Sequence, residues 1–461
     1  MAASRRPPWP GSSDLRLYGA FIRPLSKKGQ EDGPSRERGP VEAFNVTGLV
    51  QADAVQLPVA DDSVDLVITS PPYFALRSYR DDGEHYDGQI GSEATPAEFL
   101  DALWAVTREC VRVLKPSGSL WVNLGDKYAG SSGANNNGWS QSSTLVGTPT
   151  VRNRDAASKS VSYSTSVRSK SLMGLPWRYA IGCIDDLGLI LRAEVIWSKP
   201  NGLPESVTDR VRRSHEQWFH FTLEPRYFSA LDEIREPHKD TVEDVTGRRP
   251  PPNKGQLDAE IGGRAAGLTA NGWLPNSGGN PLGKVPGSVW SIPSEPLRVP
   301  DELGVDHFAA FPQEWPRRLI LGWCPAEVCT ACGQGRAPVS ETRYLSTTRH
   351  ESKHEGKRSE VVGRHAAPTW RRDSDNPTSH TIVGYACACP DTTAPSTPGV
   401  VLDPFAGTGT VPMVARALGR TGIGVDLSTD YLRLAAWRVF ESGHASKSIA
   451  RTNGERQGVM L

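Results

Sequence analysis

The stretch GVVLDPFAGTGTVPMVARALGRTGIGVDLSTDYLRLAAWRVF, Gly399 to Phe440, decides the fold. An apolar run from Val400 ends at Asp403 and turns through Gly407 and Gly409 into a helix; GIGVDLS then reads as a second strand and the residues to Phe440 as a second helix. Strand, glycine turn, helix and strand form the repeating unit of a doubly wound α/β sheet. Without side chains at Gly407 and Gly409, backbone N–H groups and the helix N-terminus can approach a carboxylate or phosphate. Asp426 closes the second strand, where a carboxylate can accept both hydroxyls of a ribose. Taken alone, such a turn fits a nucleotide loop of an NAD enzyme or a plain tight turn, and Asp426 fits a turn or helix cap.

The same alternation recurs toward the N-terminus. GLVQAD and VDLVITS are short strands, AEFLDALWAVTRECVRVLK is a helix with Phe99, Leu103, Val106, Cys110 and Val113 on its apolar side, and GSLWVNLGD is a strand after a Pro-Ser-Gly turn. The strand VDLVITS runs into Ser70-Pro71-Pro72-Tyr73, two prolines that cannot continue a ladder followed by an aromatic ring. That ending suits a backbone held still beside a flat ligand.

Further along, LPWRYAIGCIDDLG predicts a helix, and LILRAEVIWSKP and HEQWFHFTLEPRYF predict two strands pairing as a long antiparallel edge. HFAAFPQEWPRRLILGWC predicts a helix with Pro312 in its first turn and Pro316 near its start. The chain divides into a disordered or loosely attached tail over 1–44, core over 45–126, a mobile polar insertion over 127–171, core over 172–235, and a Pro-, Gly- and Asn-rich region over 236–306. The helix region 307–326, an insertion over 327–392 whose 333–386 piece has no regular pattern, core over 393–446 and a tail over 447–461 complete it.

Lys+Arg and Asp+Glu both number 52, so overall charge neither supports nor excludes a polyanionic partner, and any nucleic-acid surface must be a local patch. Arg210, Arg212 and Arg213 are candidates for phosphate contacts, with a solvated basic turn as the alternative. The abundance of Gly, Pro, Arg and Trp reads as base-composition bias. No stretch approaches the roughly 20 apolar residues of a membrane span, and MAASRRPPWPGSSD lacks the apolar core of a signal peptide; the expectation is a cytoplasmic protein with no membrane partner.

DPFAGTGT together with TSPPY resembles the amino-group DNA methyltransferases, which use S-adenosylmethionine to methylate cytosine N4 or adenine N6. In that family the first motif holds the methionine part of the cofactor, implying Asp403, Pro404, Phe405, Gly407, Gly409 and Thr410, and the second is the catalytic loop, implying Ser70, Pro71, Pro72 and Tyr73. The catalytic loop comes more than 300 residues before the cofactor loop, as in the permuted beta group. The resemblance also implies Asp53 at the cofactor adenine, Asp426 at its ribose, and Phe308, Phe311 and Pro312 bordering its methionine. VIWSKPNGLPES and RRSHEQWFHF match strands that help hold an extruded base. It covers most of 45–235 and 286–445.

The implied fold is a permuted, doubly wound, Rossmann-like class I methyltransferase sheet with its two loops side by side at the strand C-terminal ends. On this reading 45–126 is the catalytic half, 393–446 the cofactor-binding half and 236–306 the target-recognition region. An exocyclic amine is a poor nucleophile because its lone pair is delocalised into the ring; Ser70 Oγ and the Pro71 carbonyl would accept its two hydrogens, and Tyr73 would stack on the base, flipped out of double-stranded DNA. Serine in the first loop position is associated with cytosine N4 and aspartate more with adenine N6, so cytosine N4 is favoured and adenine N6 is the alternative. A cognate restriction endonuclease, a homodimer on a palindromic site, and a bacterial or phage origin suit the family. A nucleotide-dependent oxidoreductase would not explain Ser-Pro-Pro-Tyr or the reversed order, and a non-enzymatic zinc-bearing nucleic-acid-binding module would leave both loops idle.

Seven cysteines, five of them in one late segment, suit a metal site better than a disulfide framework. Cys329 and Cys332 in CTAC, with Cys387 and Cys389 in CAC, provide two ligand pairs for one structural zinc that clamps the ends of the insertion. Cys324 is a substitute ligand, His350, His354, His365 and His380 are spares, and free thiols are the alternative.

Overall fold

A computed structural model of the chain describes residues 47–75, 80–81, 84–85, 89–130, 167–202, 205, 207–237, 282–297, 299–300, 303, 311–344, 378–391 and 393–441. Both tails, most of the 127–171 and 236–306 regions, and Phe308 lie outside the described residues. Eight strands make the main sheet: β1 (Gly48–Gln51), β2 (Val64–Thr69), β3 (Leu114–Leu124), β4 (Ile190–Ser198), β5 (His215–Thr222), β6 (Val289–Ser291), β7 (Val400–Asp403) and β8 (Thr421–Asp426). Their order is β1-β8-β7-β2-β3-β5-β4-β6. The first five run parallel, and β5 pairs antiparallel with both β3 and β4. The N-terminal strand thus lies beside the C-terminal one, and β7, at the centre, pairs with β2 from the other end of the chain, which is the permuted, doubly wound arrangement expected.

Local sequence accounts for the helices around it. In α1 (Pro96–Val113), Thr95 and Glu98 form a reciprocal capping box, Pro96 occupies the first turn, and Phe99, Leu103, Val106, Cys110 and Val113 are buried. Helix α2 (Leu175–Asp185) has Gly174 at its N-cap, a residue with no side chain to cap it; Asp126 does so instead, accepting from the Gly174 and Leu175 N–H groups at 3.0 and 3.1 Å. Helix α3 (Glu314–Trp323) starts one residue after Gln313, so Pro312 lies just before the helix instead of inside its first turn, and its carbonyl accepts from Trp315 N–H at 3.2 Å. Pro316, third in the helix, has no intrahelical bond to lose there. Helices α4 (Thr410–Ala417) and α5 (Thr429–Ala436) follow β7 and β8.

Three expectations change. β4 and β5 do pair antiparallel, but β5 is enclosed between β3 and β4 and the edge belongs to β6, a three-residue strand of the Pro- and Gly-rich region. Tryptophan is more than compositional bias. Trp218 and Trp290 both stack on Trp315 of α3, with centroids 4.7 and 4.9 Å apart, and Trp197 meets the same ring edge-on at 5.8 Å, which packs α3 onto the sheet. Finally, the 333–386 piece contains a two-stranded ribbon of Ala337–Tyr344 with Thr378–Ala386.

The chain divides into two compact units, one comprising 1–231, 287–337 and 387–461, the other 232–286 and 338–386. The second unit carries most of the ribbon, a Glu236–Lys284 bridge, and an Arg235 side chain that holds Asp232 and the Gly283 carbonyl. No helix among the described residues is long and apolar enough to cross a membrane.

The close approach of α4 to the sheet depends on β8. A Cβ on Gly422 would lie 2.6 Å from Pro412 Cα and 2.8 Å from its carbonyl oxygen, both backbone atoms of the helix. On Gly424 it would meet the side-chain atoms Leu49 Cδ2 and Ala406 Cβ at 2.8 and 2.9 Å. Gly422→Ala should therefore destabilise the fold by about 1–3 kcal/mol through overpacking, and by more than Gly424→Ala, where the leucine end can yield. Urea unfolding of the two variants checks the order.

Candidate active site

The sheet topology brings the two singled-out loops together. β2 and β7 are parallel neighbours, paired at Leu66 with Val401 and Val67 with Leu402, so Ser70-Pro71-Pro72-Tyr73 and Asp403 to Gly409 leave the C-terminal ends of adjacent strands side by side. Chain order reverses across this pair, the crevice where doubly wound sheets bind ligands.

Polar contacts behind the proline loop fix it. Ser70 Oγ donates to Asn123 Oδ1 at 3.2 Å, and Asn123 Nδ2 donates to the Gln217 carbonyl at 3.0 Å, which orients the amide. The Tyr73 hydroxyl lies 2.8 Å from the same Asn123 Oδ1 and 3.0 Å from Glu216 Oε2. Glu216 is in turn paired with Lys199, whose ammonium sits 4.0 Å from the centroid of the Trp197 ring. The tyrosine ring lies flush against Gly125, where an added Cβ would be 2.7 Å from Cε2. With its hydrogen given to Asn123, Ser70 Oγ keeps its lone pairs for an incoming N–H donor.

Asn123, Gly125 and Glu216 are the parts that sequence reasoning missed. Asn123 had a visible signal, an amide in the apolar strand LWVNL that is buried in the structure and so needed partners. Trp197 is a core residue whose indole N–H donates to the Ile292 carbonyl at 2.7 Å, while Lys199 belongs to the polar chain behind Tyr73. His220, in the strand expected to hold a base, is buried against Trp121, and burial pushes its imidazole down to about 3, so it is neutral.

The glycine loop is held from two sides. Gly407 and Gly409 adopt positive φ of 48° and 71°, conformations open to glycine. Asp426 accepts from Gly407 N–H at 2.8 Å and Ser428 N–H at 2.9 Å, so its carboxylate already ties β8 to the loop. Arg438, buried beyond α5, donates to the Thr408 carbonyl and to Thr410 Oγ1, each at 2.9 Å; this cation behind the loop was not foreseen.

Asp403 is buried, its Oδ1 accepting from Thr69 Oγ1 at 3.0 Å and Phe405 N–H at 3.1 Å. Burial pushes its carboxyl up to about 7, with the Asp426 charge adding, against the opposing pull of those two hydrogen bonds. Asp53 is exposed at the end of β1, next to β8, where its side chain accepts from Val55 N–H at 3.1 Å. Phe311 and Pro312 precede α3, with the Phe311 ring 5.8 Å from Trp218. Acidic side chains at the ends of β7, β8 and β1 flank the glycine turn, whose Phe405, Ala406, Gly407 and Gly409 N–H groups are bonded within the chain; the Asp426 and Asp53 carboxylates suit a ligand carrying a cationic group and a ribose.

The arginines proposed for phosphates have local partners. Arg210 pairs with Glu205 and lies 3.9 Å from the Tyr128 ring centroid, Arg212 donates to the Gly202 carbonyl, and Arg213 is 3.7 Å from Asp126.

Residues 64–327 and 392–436, well over half of the chain, match the family model described as DNA methylase. The type II methyltransferase M.XycI of Xanthomonas campestris pv. cyanopsidis is 42% identical over 193 residues, 41% of this chain and 58% of that one, so the match spans less than two thirds of the relative. M.SmaI of Serratia marcescens, also a type II methyltransferase, is 27% identical over 381 residues, 81% of this chain and 84% of that one. Among solved structures, the PvuII DNA methyltransferase (cytosine-N4-specific) aligns at 15% identity with a TM-score of 0.44, covering 89% of this chain and 94% of that one.

The raised Asp403 carboxyl makes stability depend on pH. Because the folded value lies above the unfolded one, the native state holds a proton that the unfolded chain has lost; the contribution is full below the ordinary carboxylate range and lost as pH rises through about 7. In Asp403→Asn, Oδ1 can still accept from Thr69 and Phe405. Unfolding free energies of the ligand-free protein between pH 4 and 8 should fall with pH by a few kcal/mol, on the order of the shift, and Asp403→Asn should flatten that slope.

Proposed function

The chain belongs to the DNA methylase family, and from that premise we propose that it is a site-specific methyltransferase moving the methyl group of S-adenosylmethionine to the exocyclic N4 of a flipped cytosine in double-stranded DNA. The observation that carries the reading is the adjacency of Ser70 and the Asp403–Gly409 turn on neighbouring strands, with the Ser70 hydrogen directed away toward Asn123.

The chemistry asked of the protein is positional. S-adenosylmethionine, when bound, supplies an electrophilic sulfonium methyl, and the residues to hold it are Asp403, Pro404, Phe405, Gly407, Gly409 and Thr410 for the methionine part, with Phe311 and Pro312 bordering it, Asp426 for the ribose and Asp53 for the adenine. Asp426, which accepts from Gly407 and Ser428, stands at the end of β8, where a carboxylate meets ribose hydroxyls. The target amine must give up conjugation with its ring. Ser70 Oγ and the Pro71 carbonyl accept its two hydrogens, and the prolines keep that carbonyl aimed. Tyr73 stacks on the base, and its hydroxyl, anchored at Asn123 and Glu216, keeps the ring from swinging. No covalent bond to the protein is needed, and the rate gain comes from orientation.

Cytosine N4 is favoured over adenine N6 by Ser70, the first loop residue. The type II relatives make a cognate restriction endonuclease the expected partner in a bacterial host, and a homodimer matches a palindromic site. Target recognition falls to 236–306, with 127–171 and the cysteine-bearing insertion contributing.

Tyr73→Ala should lose the stacking contact, about 1–3 kcal/mol, or roughly 10- to 100-fold in turnover. Tyr73→Phe keeps the ring and should lose about tenfold or less, while Asn123→Ala, which strips Ser70 and Tyr73 of their shared acceptor, should cost about 10- to 100-fold in kcat with the cofactor KM unchanged. Steady-state kinetics would read all three. The central test incubates the purified chain with unmethylated DNA and methyl-labelled S-adenosylmethionine, digests to nucleosides and identifies the product by mass spectrometry, with Ser70→Ala as control. Labelled N4-methylcytosine is expected; N6-methyladenine would overturn the base assignment, and unlabelled DNA would overturn the activity.

A further inference from the structure

Four cysteines that the methyl-transfer reading does not use meet at one point. Cys329 and Cys332 lie in a tight turn before the chain leaves the first unit at 337, and Cys387 and Cys389 follow immediately on its return. Their sulfur atoms all lie within 4.8 Å of one another. Cys332 and Cys387 are 3.7 Å apart, far beyond the ~2.05 Å of a disulfide. That separation matches the edge of a tetrahedron, about 3.8 Å, set by four Zn–S bonds of about 2.3 Å.

Packing alone does not explain the cluster. Cys329 is buried, but Cys332 is exposed and Cys387 and Cys389 are half-buried. A free cysteine that serves as a small apolar residue is normally enclosed, as Cys110, Cys183 and Cys324 are here. Cys324, the substitute ligand, faces the Pro325 carbonyl and takes no part in the cluster.

The backbone is shaped around the sulfurs. Gly333, at φ 70°, donates to the Cys329 carbonyl at 2.8 Å, and Cys329 N–H donates to the Gln334 carbonyl at 2.9 Å, closing the turn. Arg336 ties the outgoing flank to the returning one, bridging Glu327 and the Ala394 carbonyl at 2.7 Å each. The two flanks are already in register, with Cys329 opposite Ser396 and Thr330 N–H donating to the Pro395 carbonyl at 3.0 Å.

We propose that Cys329, Cys332, Cys387 and Cys389 bind one zinc ion through four thiolates, a structural site that joins the outgoing and returning chain at the base of the 338–386 excursion. Each thiol gives its proton to solvent on coordination, and the ion cross-links the two flanks. The site stands independently of the methyl-transfer reading.

The test uses the full chain and metal itself as the probe. Elemental analysis after exchange into metal-free buffer should find about one zinc per chain, released in step with four thiols on titration with an organomercurial. Cys332→Ser combined with Cys389→Ser should lower bound zinc by at least about tenfold, since two ligands hold the ion far more weakly than four. Should that variant fail to fold, hydrogen exchange on the wild-type chain decides. Chelation should speed exchange in 328–336 and 387–396 and leave β2 and β7 unchanged. Metal-free protein with four freely reacting thiols, a disulfide within the set, iron in place of zinc, or unchanged exchange after zinc removal would each overturn the proposal.

Discussion

The pairing of β2 with β7 is the constraint on which the rest of the molecule depends. These strands come from opposite ends of the chain and are fastened at both ends by side chains more than 330 residues apart in sequence. Asp65 Oδ2 accepts from Val400 N–H at 2.8 Å at the start of the pair, and Thr69 Oγ1 donates to Asp403 Oδ1 at 3.0 Å at its end. Asp65 also receives Lys115 at 2.7 Å, so its buried charge is neutralised where β3 joins the sheet. Closing so long a loop costs only slightly more entropy than closing a shorter one, which is why large insertions between these strands are compatible with a single sheet. The reward is specific: two loops that no local rule would bring together emerge as neighbours.

From that pair outward, buried polar groups do the positioning and apolar surface supplies the rigidity. Asn123 uses both faces of its amide, the nitrogen on a carbonyl of β5 and the oxygen on the hydroxyls of Ser70 and Tyr73. One residue thereby sets the orientation of the serine, the tyrosine and the strand that carries them. Glu216 continues the chain to Lys199, and the indole under that ammonium belongs to the stack that seats α3. On the other side Arg438 and Asp426 brace the glycine turn through Thr408 and Gly407. Satisfied networks of this kind are costly to break and therefore hold geometry well.

Much of this architecture was legible before any coordinates. Periodicity located the helices that the structure places at 96–113, 175–185, 410–417 and 429–436, together with one expected from 307 that begins at 314, and the main strands other than β6, because each apolar face repeats at the period of its element. Glycines at 407 and 409, prolines at 71 and 72 and the carboxylate at 426 were legible because each residue type answers a backbone or ligand requirement that few others can meet. The pairing of distant cysteines was legible from ligand chemistry, since two close pairs in one segment suit a single ion.

What the sequence by itself determined is therefore local: where the chain is strand, helix or rigid turn, and which residues carry chemistry. What only the tertiary structure decided is who meets whom. Nothing in LWVNLGD says that its asparagine will serve Ser70 and Tyr73 or that its glycine will admit the tyrosine ring, and nothing in EQWFHF says that Glu216 will stand behind the same hydroxyl. Nor does YLRLAAWRVF announce that Arg438 will hold a loop 28 residues earlier. Those assignments depend on strand order, on register and on which helix face turns inward. They are long-range consequences of closing one sheet, to which periodicity within a window of a dozen residues is blind.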